Sequence, residues 1–267
     1  MTTTDVTVKQ TGAVQPAKTV KRRRNWLAAF RHIDLLRKNN EDTEQVFRII
    51  EALKGDADKT AYDAFIKTEI GQKVIAEKRS AIDFLGNRDW LRSLPDGSLG
   101  REYLDFMVSE GLTAEGLRDV SYDGGFAGES EETEEDRIFA EWNRDIHDLF
   151  HVVTGYHRDP FGELSVLAVT YQQTKSLGVA FIAIMGCFEI KRILPGAKVY
   201  KALRQAFKIG KQCENLVAQD WEYLLTLPKQ EALAHLNLRE PTHYNAVLDH
   251  AVATKTTDPR YQHLFAA

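Results

Sequence analysis

Cysteine is nearly missing from this chain. Cys187 and Cys213 are the two in 267 residues. That number excludes a disulfide framework and a cysteine-rich zinc site, and it favours a reducing compartment. Strand signals are equally scarce: no run of alternating Val, Ile and Thr is bounded by a hairpin turn. The most apolar stretch, residues 177–188, is twelve residues long, whereas a membrane-spanning helix needs about twenty. No apolar core of a secretory signal stands near the start, so none is expected. The formal net charge is −4, which gives no bias toward nucleic acid as a partner. No repeat of fixed period is visible.

What remains is helical periodicity. Charged residues make up 28% of the chain and hydrophobic ones 43%, the balance of an ordinary folded domain. Residues 1–24 hold Lys9, Lys18, Lys21, Arg22, Arg23 and Arg24 against the single acid Asp5. They have no periodic apolar face and read as a disordered basic arm; the scarcity of acids also fits an organelle transit peptide. Residues 25–267 read as one all-α domain. Trp26, Leu27, Phe30, Ile33, Leu35 and Leu36 fit a first amphipathic helix, and residues 43–53 a second. Residues 62–82 form a third helical region, broken at Gly71. Leu94-Pro95-Asp96-Gly97-Ser98-Leu99-Gly100 is a loop, with a helix starting near Ser98 and turning Tyr103, Phe106 and Met107 inward. A second loop at residues 122–126 leads into an acidic run. Residues 138–153, 161–188, 199–225 and 229–236 are each expected as one helix, and the last ~25 residues as irregular.

His147 and His151 are four residues apart and therefore share one face of a helix, where two imidazoles can converge on one ion. Asp148 is turned by about 100° from His147. It reaches the same ion from the side or orients a histidine. Glu163 would lie about 18 Å from His151 on a straight helix. The segment Gly155-Tyr156-His157-Arg158-Asp159-Pro160 allows a reversal that brings it back. Two imidazoles with carboxylates form a mixed nitrogen and oxygen donor set for one divalent metal ion. Zinc comes first, with iron, manganese and cobalt also suited. Such a site can leave a coordination position for water or substrate.

Asn143-Arg144-Asp145-Ile146-His147-Asp148-Leu149-Phe150-His151 followed by Gly162-Glu163 resembles the H-D-x-x-H, eleven residues, Glu signature of the Coq-four family of ubiquinone (coenzyme Q) biosynthesis proteins. Residues 94–100 with Tyr103 and Phe106 resemble the family's second motif, and Trp221-Glu222 its C-terminal end. The resemblance spans roughly residues 67–238; the basic N-terminal region and the tail after Pro241 match nothing in it. It implies an all-helical fold, His147, Asp148, His151 and Glu163 as ligands, and peripheral membrane association. It further implies oxidative decarboxylation, with hydroxylation, of the carboxyl-bearing ring carbon of a prenylated hydroxybenzoate. On that reading Asp148 moves a proton or binds the metal, and Arg144 pairs with the substrate carboxylate. Leu167, Val179 and Ala183 would line a slot for the prenyl tail, with Gly178 and Gly186 allowing its close approach. Expected partners are a prenylated benzoquinone precursor, other ubiquinone-biosynthesis proteins, a membrane surface touched by Lys191, Arg192, Lys198, Lys201, Arg204 and Lys208, and a second copy of the chain. The location implied is the cytoplasm or inner face of the plasma membrane in a bacterium, and the matrix side of the inner mitochondrial membrane in a eukaryote. Two rival readings stand beside this one. The first is a helical H-D metal phosphohydrolase with His32 and Asp83 as further ligands. The second is a non-enzymatic prenyl-lipid-binding scaffold whose metal ties two helices together.

Overall fold

The computed structural model describes residues 23–39, 42–55, 57–114, 116 and 133–261. The loop expected at residues 122–126 and residues 1–22 of the expected arm lie outside them. Among the described residues the structure is all-helical, with no strand. In chain order the helices are α1 (Trp26–Lys38), α2 (Thr43–Ala52), α3 (Ala57–Phe65), α4 (Glu69–Glu77), α5 (Ile82–Leu85), α6 (Arg88–Ser93) and α7 (Leu99–Ser109). After them come α8 (Glu134–Asp145), α9 (His147–Thr154), α10 (Pro160–Thr174), α11 (Leu177–Ile193), α12 (Val199–Gln212), a 3-10 turn (Leu216–Ala218), α13 (Trp221–Thr226), α14 (Lys229–His235) and α15 (Thr242–Ala253).

Short polar residues set many of the starts. Asn25, Asp42, Thr68, Asn87, Ser98, Thr133, Asp159 and Asp220 each accept a backbone N–H of the first turn through the side chain, satisfying donors that the helix itself leaves unpaired. Ser98 therefore starts α7 where the sequence placed it. The expected break at Gly71 instead falls at residues 66–68, Gly71 lies in the first turn of α4, and the region breaks again after Glu77.

Three expected helices are divided. Residues 138–153 break at Ile146, which leaves the helical conformation at φ −86° and ψ 2°. The long apolar segment breaks at Lys175, which takes the left-handed conformation at φ 59°. There the Thr174 hydroxyl bonds back to Thr170 O at 3.0 Å, competing with the backbone ladder. Residues 199–225 break after Gln212, with the 3-10 turn before α13. The supposedly irregular end contains α15, which buries Tyr244, Val247 and Ala251.

The core is continuous from Ala29 in α1 to Tyr261. α10 is its axis, packed on α11 and α12, while α11 also lies against α2 and α1. The glycines expected to admit a tail serve this packing. A Cβ on Gly178 would stand 2.5 Å from Ile50 Cα of α2, and one on Gly186 2.5 Å from Leu164 Cδ2 of α10. Around the other end, Leu99 N donates to Leu227 O at 2.9 Å and Lys229 N to Gly97 O at 2.9 Å. These bonds fasten the loop at residues 94–98 to α13 and α14. α7 is held there and lies against α9.

Candidate metal centre

The turn between α9 and α10 decides whether Glu163 meets the histidines. Gly155 ends α9 with φ 71°, a conformation that costs glycine little. Asp159 then caps α10, taking hydrogen bonds from Phe161 N at 3.0 Å and Gly162 N at 3.1 Å. Pro160 follows at the first helical position, where its missing N–H is not needed. Gly162 closes the turn: a Cβ there would lie 1.8 Å from His157 O. The chain reverses, and the expected clamp forms. Glu163 Oε2 stands 3.3 Å from His151 Nε2 and 3.8 Å from His147 Nε2.

One ligand atom from each of His147, His151 and Glu163 lies within 4.8 Å of the others. Around a tetrahedral ion with bonds of about 2.0–2.2 Å, neighbouring donors stand about 3.4 Å apart, so little movement is required. The imidazole rings cross at 79° with centroids 5.2 Å apart. His151 is 2% exposed. Its Nδ1 lies 2.9 Å from Tyr156 O; a carbonyl only accepts, so Nδ1 carries a proton, and in the neutral ring Nε2 keeps a free lone pair. That Nε2 is buried without a hydrogen-bond partner among the described residues. An unsatisfied buried nitrogen facing a carboxylate and a second imidazole fits a metal ligand. The Phe106 ring stacks on His151 at 5.9 Å and 18°, fixing it from the α7 side.

Charge follows the same geometry. Burial would lower the affinity of His151 for a proton, but the charges of Glu163 and Asp148 and the Tyr156 carbonyl outweigh it and hold its pKa above the ordinary value. Burial would raise the Glu163 carboxyl, but the charge of His151 and the contacts of both histidines hold it well below the carboxylate range. The Glu163 side chain is 36% exposed, which leaves the cluster an open side.

Asp148, expected as a fourth ligand, is not one of the three clustered residues; it is half-buried and acts on His151 through its charge. Arg144 lies in α8, across the break at Ile146 from His147, with Nε and Nη2 buried. Arg158 sits closer in sequence to Glu163 and pairs with it: its Nε is 3.6 Å from Glu163 Oε1, and its Nη1 is 3.7 Å from Glu110 Oε2 of the α7 end. Nothing in the sequence marked Arg158 out from other surface arginines. Ala183 and Val179 are buried and Leu167 half-buried against the core. An open pocket of about 180 Å³ lies elsewhere, lined by Leu85, Leu91, Tyr103, Leu104, Met107 and Leu112. His32 is bonded to Gln45 Oε1 at 2.7 Å and Asp83 is exposed on α5, so neither joins the cluster.

Comparison with known proteins agrees with this architecture. The family model described as coenzyme Q (ubiquinone) biosynthesis protein Coq4 matches residues 36–242. The mitochondrial ubiquinone biosynthesis protein COQ4 of Candida tropicalis is 26% identical over 188 residues, covering 68% of this chain and 54% of the relative. That of Penicillium rubens is 26% identical over 182 residues, covering 67% and 60%. The chain thus spans little more than half the length of these relatives. The crystal structure of a Nostoc punctiforme protein ascribed to ubiquinone biosynthesis superposes with a TM-score of 0.60 at 22% identity, covering 80% of this chain and 96% of that one; this likeness speaks for the fold. With 36–242 matched, the chain belongs to the Coq4 family of coenzyme Q (ubiquinone) biosynthesis proteins.

Proposed function

We propose that this chain acts in ubiquinone biosynthesis as a metal-dependent enzyme that decarboxylates and hydroxylates a prenylated hydroxybenzoate precursor. The observation that carries the reading is the His147–His151–Glu163 cluster with its unpaired, buried His151 Nε2, in a chain of this family. These three residues hold the ion, zinc first by donor type, with Asp148 beside His151 able to join them. A bound divalent ion supplies Lewis acidity toward the phenolate or carboxylate oxygens of the precursor.

The other roles fall to the chain itself. Asp148 moves a proton at the site. Arg144 and Arg158 offer guanidinium groups to the substrate carboxylate, Arg158 from its place beside Glu163. Phe106 gives the aromatic ring an apolar wall. In the overall change the bond between ring carbon and carboxylate breaks and carbon dioxide leaves. An oxygen atom from water bonds to the same carbon, and the two electrons and two protons released pass to dioxygen, giving hydrogen peroxide. The prenyl tail lies along an apolar surface of the chain, since Leu167, Val179 and Ala183 are taken up by core packing.

A membrane surface supplies so apolar a precursor. Among the described residues no helix is long and apolar enough to cross a membrane. Trp26, Leu27, Phe30, Ile184, Phe188 and Tyr200 are nonetheless exposed, Leu27 at 83%. Trp26 and Phe30 of α1 meet Phe181 of α11 edge to face, and Phe188 of α11 meets Tyr200 of α12. Lys198, Lys201, Arg204 and Lys208 stand exposed beside them. Apolar groups rimmed by cations suit an anionic bilayer.

Restoring ubiquinone synthesis in cells that lack their own family member tests the reading. The unaltered chain should restore it, whereas His151→Ala and Glu163→Ala should leave the carboxylated precursor to accumulate. If both variants restore ubiquinone fully, the protein is a scaffold and the catalytic reading fails.

A further inference from the structure

His151 and Glu163 approach the centre from two helices, so the turn at residues 155–159 must be held still for the donors to keep their spacing. One peptide unit within it, Tyr156–His157, is gripped at both ends. Its carbonyl accepts from His151 Nδ1 at 2.9 Å. Its N–H donates to the Tyr244 hydroxyl at 3.0 Å. The unit is planar, so fixing the N–H fixes the direction of the carbonyl that orients the imidazole. The Tyr244 hydroxyl donates its own proton to Asp159 Oδ2, and Asp159 Oδ1 takes the first N–H groups of the helix bearing Glu163. One run of hydrogen bonds therefore leads from the ring of one ligand to the helix start of another. Bonds in such a run polarise one another.

Tyr244 is well placed for this duty. It is fully buried, and its ring meets Tyr156 edge to face at 5.1 Å and lies 6.0 Å from Phe161. Burial in the first place, then the charge of Asp159, push its hydroxyl far above the usual phenol range, so it keeps the proton it donates. Tyr244 stands on α15, just past the 36–242 stretch that the family model matches.

We propose that Tyr244 is a positioning residue for the metal centre, holding His151 through the Tyr156–His157 peptide and the Glu163 helix through Asp159. The proposal rests on the metal reading of the cluster, and cobalt(II) titration of the full chain, followed by visible absorption, tests both. Tyr244→Phe keeps the ring and removes both hydroxyl bonds. Its cobalt affinity should fall by about 10–100-fold, the usual cost of losing a group that orients a ligand, and its absorption bands should shift while helical circular dichroism is kept. Tyr156→Phe should bind as the unaltered chain does, because the Tyr156 hydroxyl has no hydrogen-bond partner among the described residues. Asp159→Asn keeps a capping oxygen but weakens the tyrosine bond, and should lose less than Tyr244→Phe. The proposal is overturned if Tyr244→Phe matches the unaltered chain in affinity and spectrum, or if Tyr156→Phe weakens binding equally. Should Tyr244→Phe fail to fold, an Asp159→Asn protein with unchanged affinity and spectrum overturns it instead. If the unaltered chain binds no cobalt, the metal reading itself falls, and the positioning role with it.

Discussion

His151 and Glu163 depend on each other. Each is shifted toward its charged form by the other, and a metal ion would take the place of a proton on His151 Nε2. Glu163→Gln keeps the size and removes the charge. Isothermal titration with zinc should show a loss beyond about 100-fold, since losing an orienting neighbour alone costs about 10–100-fold; a smaller change would mean Glu163 is no ligand. The pH dependence has a definite sign. Because the His151 pKa is raised above its ordinary 6.5, proton competition begins above that pH. Apparent zinc affinity should then fall by about tenfold per unit of acidification for each proton displaced. Affinity that rises or stays level from pH 8 to roughly 6 would contradict it. Gly162 is a further residue to vary. A Cβ there meets a backbone carbonyl at 1.8 Å, so Gly162→Ala should cost about 1–3 kcal/mol, visible as a lowered Tm, together with weaker metal binding. A variant of unchanged Tm would show that the turn relaxes freely.

At the scale of elements, legibility in the sequence followed distance along the chain. His147, His151 and Glu163 were readable because one helix and one turn set their relation. Asp159-Pro160 announced the start of α10, and Ser98 that of α7, as a capping residue should. The breaks at Ile146 and Lys175 were not readable, because neither residue is a glycine or proline and the interruptions are one and two residues long. α15 was missed because Tyr244, Val247 and Ala251 are its buried residues, too few for a clear period against polar neighbours. Phe106 was legible as an inward residue of α7, but its stacking on His151 was not, nor was the reach of Tyr244 to Asp159. Both contacts join distant parts of the chain, and only packing establishes them. The exposed faces of α1 and α11 carry an expectation of their own. Leu27→Glu with Phe188→Glu should weaken binding to vesicles containing anionic lipid by at least about tenfold, since burying each side chain contributes about 1.5–3 kcal/mol. Zinc affinity should not move. Sedimentation with such vesicles checks this, and undiminished binding would place any lipid contact elsewhere.

For the whole molecule, the fold sets the His147–His151–Glu163 cluster against a continuous apolar core among the described residues. α10 carries Glu163 at its start and core residues along its length, so the helix that fixes the site is also the one the core surrounds. Opening the core would displace Glu163, whereas changes on the far side of α1 or α14 should leave it in place. Family membership ties this scaffold to ubiquinone biosynthesis, and the proposed ion would give the cluster its use. The most direct measurement is the metal content of the purified full chain by inductively coupled plasma mass spectrometry, beside that of Glu163→Ala and His151→Ala. One divalent ion per chain is expected, lost in both variants while the helical content is kept. A folded chain that holds no metal even after incubation with zinc, iron, manganese or cobalt, or variants that retain it fully, would contradict the account.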